Sequence, residues 1–168
     1  MLQEFTCELD RTPTDEDLDA LFEAGLDDST PEIVDGRGIL HVARQEESLP
    51  RAIQSAVRDI EATGLRVVAL EDEDLVGLRT IADRFSRTYE SVRLLSRGRR
   101  GPGGFPPAIS RDGWELYSWA SVAQWGNEHL GLDIEIDGRE RVIAAADHLL
   151  RARAILPDIA ELAALVRR

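Results

Sequence analysis

The chain is organised around residues 78–109, LRTIADRFSRTYESVRLLSRGRRGPGGFPPAI, in which two short apolar repeats precede an arginine- and glycine-rich loop. Residues 79–111 hold eight arginines and two acidic residues, a local net charge of +6, whereas the 168-residue chain carries a net charge of −12. A positive island in an acidic protein indicates a local electrostatic role, and a polyanionic partner accounts for it most simply.

The spacing of apolar residues predicts two short helices in this stretch. Ile81 and Phe85 lie four residues apart and therefore share one helical face. Thr88 is placed to cap a second helix that carries Leu95 on its apolar face, and Gly98 suits the left-handed residue that ends a helix. Two helices joined by a short turn form the unit that lays a recognition helix in the DNA major groove.

The order T-I-A-x-x-F-x-x-T-x-x-S-V-x-x-L, from Thr80 to Leu95, resembles the helix-turn-helix of small winged-helix DNA-binding proteins of the MerR and excisionase type. The run R-G-R-R-G-P-G-G-F-P at residues 97–106 resembles the wing of that family, and residues 117–119 (Tyr-Ser-Trp) resemble the start of its next helix. Ser86 stands in the turn where such motifs usually carry glycine. The resemblance covers residues 75–130 and implies a winged helix-turn-helix domain.

The resemblance implies which residues contact DNA. Tyr89, Glu90 and Arg93 would face the groove from the second helix, with Arg93 suited to guanine and Glu90 to cytosine. The arginines around this helix and in a flexible, glycine-rich wing would contact phosphates. The predicted DNA-binding residues are Arg79, Arg87, Thr88, Tyr89, Glu90, Arg93, Arg97, Arg99 and Arg100.

Residues 1–74 are predicted to form a separate, acidic α/β domain. In chain order its elements are a strand at residues 2–9, a helix between Thr14 and Gly25, a hairpin around Asp35-Gly36, a helix after Ser48, and a strand at residues 65–70. The order β-α-β(β)-α-β resembles a truncated ferredoxin-like sandwich. Six arginines against twenty acidic residues give this domain a net charge of −14.

The acidic run at residues 71–74 is interpreted as a solvated linker at the domain boundary. The alternative is that its charge repels nucleic acid and so orients the basic face of the next domain. Residues 131–168 form a helical tail, predicted as a helix at residues 139–156 and a second short helix after Pro157. The tail either packs on its own chain or forms a dimer interface, and the sequence leaves both open.

Three tryptophans, Trp114, Trp119 and Trp125, fall within twelve residues after the predicted wing. Such aromatic side chains can stack on single-stranded bases, but core packing is the favoured interpretation because their spacing follows a helical face.

No enzyme signal emerges from the chain. Its three histidines lack a second metal ligand at helical spacing, and the GPGG run at residues 101–104 lacks the Gly-Lys-Ser/Thr ending of a phosphate-binding loop. The single Cys7 is expected to be a buried small hydrophobe, since one cysteine forms no internal disulfide. No catalytic residue, cofactor or metal is predicted. The absence of a membrane-length apolar run or signal core predicts a cytoplasmic protein.

Together these patterns predict an α+β protein made of an acidic domain (1–74), a winged helix-turn-helix (75–130) and a helical tail (131–168). The leading hypothesis is a sequence-specific binder of double-stranded DNA, acting as a transcriptional regulator or an antitoxin-like autoregulator. A single such unit buries little surface, so a homodimer on two half-sites is expected. The alternative is a protein-interaction module on a helix-turn-helix scaffold, with the acidic N-terminal domain as a further site for a protein partner.

Overall fold

The computed structural model describes residues 1–72 and 74–167, and it confirms a mixed α+β protein with a small antiparallel sheet. The chain divides into two compact units. The first unit comprises Met1–Glu71 together with the chain from Val142 onward, and the second is Asp72–Arg141. The sequence boundary at residue 74 is thus displaced by three residues. The C-terminal segment is not a separate tail, because most of it belongs to the first unit.

The first unit is built on four strands and two helices in the predicted order. The strands are β1 (Leu2–Leu9), β2 (Ser29–Val34), β3 (Arg37–Gln45) and β4 (Val67–Leu70), and the helices are α1 (Asp15–Glu23) and α2 (Leu49–Ala62). The strand order in the sheet is β2-β3-β1-β4, and every neighbouring pair is antiparallel. The two helices therefore connect strands that are not neighbours in the sheet.

One face of this sheet forms the core with α2. Alternate residues of β1 and β3 are buried, among them Cys7 and Leu40, and from α2 Ile53, Ala56 and Ile60 pack against them. The period of two in the strands and the i, i+3, i+7 spacing in the helix bring these side chains to one layer. Burial raises the pKa of the Cys7 thiol to about 12, so the thiolate that would react is scarcely populated.

Local signals set the ends of these elements. Thr14 forms the capping box of α1, because its side chain accepts from the Asp17 amide while the Asp17 carboxylate accepts from the Thr14 amide at 2.8 Å. Asp35 and Gly36 both have positive φ, 50° and 77°, as a two-residue hairpin turn requires. These parts of the sequence prediction are confirmed.

The sequence analysis missed Arg44, which is 8% exposed within β3. Its Nε donates to Asp28 Oδ2 and its Nη1 donates to Asp59 Oδ2, each at 2.8 Å. These hydrogen bonds from the guanidinium join β3 to α2 and to the segment before β2. A buried arginine is tolerated only when it is paired in this way.

Helix α6 (Gly138–Ile155) packs on the first unit from Val142 onward, so this part of the tail packs on its own chain. The buried carboxylate of Asp147 accepts a 2.9 Å hydrogen bond from the backbone amide of Leu70 in β4. Arg153 Nη2 donates to the carbonyl of Val67 at 2.9 Å and also pairs with Glu61 of α2. Two α6 side chains thus satisfy backbone groups of β4, an edge strand, where such groups otherwise lack partners.

The second unit contains the stretch from which the sequence analysis began. Its elements are β5 (Leu75–Gly77), α3 (Leu78–Arg84), α4 (Tyr89–Ser96), β6 (Leu116–Ser118) and α5 (Trp119–Leu130). Strands β5 and β6 pair antiparallel, and a separate core collects Val76, Ile81, Phe85, Val92, Leu95, Tyr117, Val122 and Trp125.

The acidic run before β5 is not simply a solvated linker. Asp74 is 9% exposed, and its Oδ1 accepts from the amide of Ala120 at 2.7 Å in the first turn of α5. A carboxylate at a helix N-terminus satisfies an unpaired amide and complements the helix dipole. Within the same run, Glu73 lies outside the described residues.

Candidate nucleic-acid interface

The turn between α3 and α4 is built on Ser86. This serine has φ +52°, the left-handed conformation that glycine usually supplies in such turns. The amide of Arg87 donates to Ala82 O at 2.9 Å and the amide of Ser86 donates to Asp83 O at 3.1 Å. This is the bonding pattern of a Schellman motif, so the turn keeps its geometry without glycine.

Both ends of α4 agree with the sequence prediction. Thr88 Oγ1 accepts from the Ser91 amide at 3.2 Å, and Gly98 has φ +64° just beyond the helix. Val92 and Leu95 are buried on one side of α4, while Tyr89 and Glu90 are exposed. The helix therefore presents the predicted reading residues to solvent and its apolar residues to the core.

Arg93 and Glu90 bind each other on the exposed side of α4. Arg93 Nε and Nη2 each donate to a different oxygen of the Glu90 carboxylate at 2.8 Å. These hydrogen bonds hold the pKa of Glu90 below its usual range and that of Arg93 above it. The Nε–Nη2 edge of the guanidinium, one of the two edges that could recognise guanine, is thus engaged within the chain.

The loop at residues 97–108, predicted to be a flexible wing, is anchored to the core of its unit. The Phe105 ring packs edge-on against Tyr117 and Trp125, with ring centroids 5.6 and 4.9 Å away. Trp125 Nε1 also donates to the carbonyl of Gly103 at 3.0 Å. The Phe105 ring and the hydrogen bond to Gly103 thus connect the glycine run to the core of this unit. Arg97, Arg99 and Arg100 remain exposed at the start of the loop.

A β-hairpin that the sequence analysis did not predict follows this loop. The amide of Ile109 donates to Leu116 O at 2.8 Å and the amide of Leu116 donates to Ser110 O at 3.2 Å, so residues 111–115 form the tip. The dipeptide Asp112-Gly113 is a strong turn signal that could have identified the hairpin.

The hairpin tip carries Trp114, which is 82% exposed, so the prediction that this tryptophan packs in the core is wrong. Trp125 does lie in the core, at 5% exposure, and Trp119 is partly buried against it. Trp114 lies in a turn outside α5, and therefore the helical spacing that places the other two tryptophans does not apply to it.

The hairpin tip and the segment that carries α3 and α4 meet at one surface depression of about 490 Å³ within the second unit. Three arginines line it: Arg79 from α3, Arg97 from the loop after α4, and Arg111 from the hairpin tip. Tyr89 and Trp114 contribute aromatic side chains to the same depression. The structure thus brings together three of the predicted site residues and adds two that were not predicted.

Of the remaining predicted residues, Glu90 and Arg93 lie within α4 and the other four lie beyond its ends. Arg87 and Thr88 precede the helix, and Arg99 and Arg100 follow it. Of the arginines between positions 79 and 111, only Arg93 and Arg97 form ion pairs with carboxylates of the described residues. Two of the others lie over aromatic rings: Arg84 over Trp119 at 4.6 Å and Arg79 over Tyr89 at 5.7 Å.

Among residues 1–72 and 74–167, no cluster of three or more histidine, cysteine, aspartate or glutamate side chains is arranged to hold a metal ion. No helix in that part of the chain is both long and apolar enough to span a membrane. Comparison of this chain with family models, curated proteins and solved structures finds no match.

Proposed function

We propose that this protein binds double-stranded DNA sequence-specifically through its second unit and acts as a transcriptional regulator or antitoxin-like autoregulator. The observation that carries the proposal is a set of exposed arginines without a carboxylate partner among the described residues: Arg87, Arg99, Arg100 and Arg111. In a chain with a net charge of −12, such side chains gain most from an external polyanion.

The proposal treats α3, the Ser86 turn and α4 as a helix-turn-helix, with the hairpin at residues 109–118 as its wing. Support comes from the four-residue connection between the helices and from the hairpin that follows them. The loop at residues 97–108 then supports the wing instead of forming it. For the first unit we propose a ferredoxin-like arrangement, supported by its β-α-β-β-α-β order and its antiparallel β2-β3-β1-β4 sheet.

In this proposal α4 is the recognition helix. Its first turn carries Tyr89 and Glu90, and the N-terminal turns of a recognition helix usually reach base edges. Arg87, Arg99 and Arg100 contact phosphates on either side of the groove, which sets position and supplies salt-dependent affinity. Arg93 presents its Nε–Nη2 edge to a base only after it leaves Glu90, so Glu90 modulates the readout.

We further propose that the protein acts as a homodimer on two half-sites. The support is apolar surface on the first unit, where the segment Ile159–Val166 exposes Leu162, Leu165 and Val166. Contiguous exposed apolar side chains of this kind commonly mark an interface. Sedimentation of the full chain should show a dimer that Leu165→Asp weakens, and a monomer at all concentrations would refute this part of the proposal.

A protein-interaction module remains the second candidate, favoured by the Glu90–Arg93 ion pair, which engages one edge of the Arg93 guanidinium and offsets its charge. The acidic first unit would then be available to a basic protein partner. This candidate predicts that the full chain binds no DNA even at low salt concentration, where charge interactions are screened least.

The deciding experiment measures binding of the full chain to a random-sequence duplex as a function of salt concentration. The DNA-binding proposal expects measurable affinity at low salt and a linear fall of log K with log salt, with a slope of about −0.9 for each phosphate contacted. Selection from a random duplex pool should then return a motif. A chain that binds no duplex at low salt would leave only the interaction module.

A further inference from the structure

We propose that the depression between the helix-turn-helix segment and the hairpin tip binds one nucleoside phosphate, with the phosphate on its arginines and the base stacked on Trp114. This goes beyond duplex recognition, because bases in a duplex are stacked and paired, and one enters a side-chain pocket only when it is extruded from the stack at a cost in free energy. The ligand is therefore a free nucleotide or one nucleotide of a single strand. The inference does not depend on duplex binding.

The charge of the depression calls for an anion. Arg79, Arg97 and Arg111 line it, and Glu115, also at its wall, pairs with Arg97 across 3.5 Å. One carboxylate against three guanidinium groups leaves a surplus of positive charge in a concave surface, where like charges repel. A phosphate accepts paired hydrogen bonds from guanidinium groups and neutralises that surplus.

The aromatic side chains select among anions. Trp114 is 82% exposed, although a tryptophan contributes most to stability when its ring is buried. Tyr89, on the other wall, is 46% exposed and lies below the guanidinium of Arg79 at 5.7 Å. A planar base stacked on Trp114 would cover the exposed indole, a gain that neither inorganic phosphate nor a sugar phosphate offers.

The size of the depression fits this class of ligand. Small-molecule sites range upward from roughly 300 Å³, and this depression measures about 490 Å³. Its walls come from four separate parts of the unit, namely the start of α3, the start of α4, the loop after α4 and the hairpin. These segments place arginines and exposed aromatic rings side by side. A contact with a duplex phosphate needs the arginines but has no use for the aromatic rings.

The test is calorimetric titration of the full chain with deoxyadenosine monophosphate, deoxyadenosine, inorganic phosphate and a short single-stranded oligodeoxyadenylate. The monophosphate should bind at least about tenfold more tightly than either the nucleoside or inorganic phosphate. If the oligonucleotide binds more tightly than the monophosphate, the natural source is a nucleic-acid strand. If the two bind equally, the source is a free nucleotide.

Substitutions localise the site. Trp114→Leu should weaken the monophosphate by between about fivefold and about 150-fold, the range for losing one stacked base, while Trp114→Phe should restore much of the affinity. Arg111→Ala should also weaken it, whereas Arg141→Ala, which removes another exposed arginine of the same unit from outside the depression, should not.

Three outcomes would overturn the inference: no heat of binding at millimolar monophosphate, equal affinity for inorganic phosphate and monophosphate, or equal losses from Arg141→Ala and Arg111→Ala. The second outcome would describe a plain anion site and the third a diffuse charge effect. If duplex binding persists in any of these cases, only this inference fails and the proposed function stands.

Discussion

The guanidinium of Arg93 lies against the carboxylate of Glu90, one helical turn away on α4, and is held by two hydrogen bonds of 2.8 Å. Both groups are largely exposed, so the pair contributes little to stability. Its consequence is electrostatic. A side chain that could supply a base contact or a phosphate contact is neutralised by its own neighbour at the centre of the proposed recognition surface.

Glu90→Gln should therefore raise affinity for any duplex at low salt. The substitution removes a negative charge that faces phosphate and releases Arg93, and if Arg93 then engages a phosphate the salt slope should steepen by about 0.9. Titration of a labelled duplex at several salt concentrations measures both quantities. Glu128→Gln is the matched control, because it removes one exposed acid from α5 whose side chain accepts a hydrogen bond from Gln124 and forms no ion pair with an arginine of the described residues. Equal gains from both variants would show that only net charge matters.

Arg93→Ala probes sequence reading instead of affinity. If Arg93 exchanges Glu90 for guanine on the cognate site, its loss should cost about 1–3 kcal/mol there and much less on random DNA. Selection from a random duplex pool with wild type and variant should return motifs that differ at one position. Identical motifs would mean that Arg93 does not read a base and would remove it from the proposed recognition set.

The arginines that follow α4 should act alike on all sequences. Arg99→Ala combined with Arg100→Ala should weaken binding to every duplex and flatten the salt slope by roughly 1–2, because each lost phosphate contact removes about 0.9. Arg58→Ala serves as the control, since it removes a side chain of the same charge from the first unit. A slope unaffected by the double substitution would exclude the start of the loop from the interface.

Ser86→Gly should stabilise the second unit by up to about 1 kcal/mol. Serine pays a steric penalty at φ +52° that glycine avoids, although glycine also gains freedom in the unfolded chain. Urea unfolding followed by tryptophan fluorescence reports on this unit, because all three tryptophans lie within Asp72–Arg141. Ser86→Ala keeps the penalty and should bring no gain. A stabilising alanine would argue against the conformational explanation.

Features encoded over a few residues could be read from the sequence. Thr14 and Thr88 cap the helices predicted for them, Asp35-Gly36 forms the hairpin turn, and Gly98 takes a positive φ. In each case a short polar residue or a glycine supplies what the neighbouring backbone needs, namely an acceptor for a helix N-terminal amide or a residue with positive φ. Such requirements are met locally, and therefore they leave a local pattern.

The misplaced features depend on partners far along the chain. Asp74 belongs to an acidic run that looks solvated, yet its carboxylate caps a helix that begins 45 residues later. Trp114 shares a tryptophan-rich segment with Trp125, but the hairpin turn exposes one side chain while α5 buries the other. The composition and spacing of these segments do not distinguish a buried side chain from an exposed one. Contacts with distant parts of the chain decide which residues find a partner.

The association of α6 with the first unit is the largest feature that the sequence did not reveal. It rests on polar contacts to the edge strand β4, where Asp147 accepts from the Leu70 amide and Arg153 donates to the Val67 carbonyl. The helical spacing of the tail showed an apolar stripe but not the surface that receives it. Nothing in the sequence around Asp147 and Arg153 indicates that they bind backbone groups of β4, because those groups become available only once β4 is the edge of the sheet.

Asp147→Ala should loosen α6 from the first unit. Asp147 is 1% exposed and Leu70 is likewise buried, so removal of the carboxylate leaves a buried amide without this acceptor, at a cost of about 1–3 kcal/mol. Asp147→Asn keeps an oxygen able to accept from Leu70 and should cost less, since the ion pair that it loses is with the half-exposed Arg151.

The thiol of Cys7 provides the measurement. It is the single cysteine of the chain, fully buried in the core of the first unit, so a thiol reagent reaches it only when that unit opens. If opening is at rapid equilibrium, a loss of 1–3 kcal/mol should speed labelling of Asp147→Ala between about fivefold and about 150-fold, with Asp147→Asn between it and wild type. Equal labelling of wild type and Asp147→Ala would show that the Asp147–Leu70 contact does not hold the unit together, and the α6 docking would then rest on its apolar stripe alone.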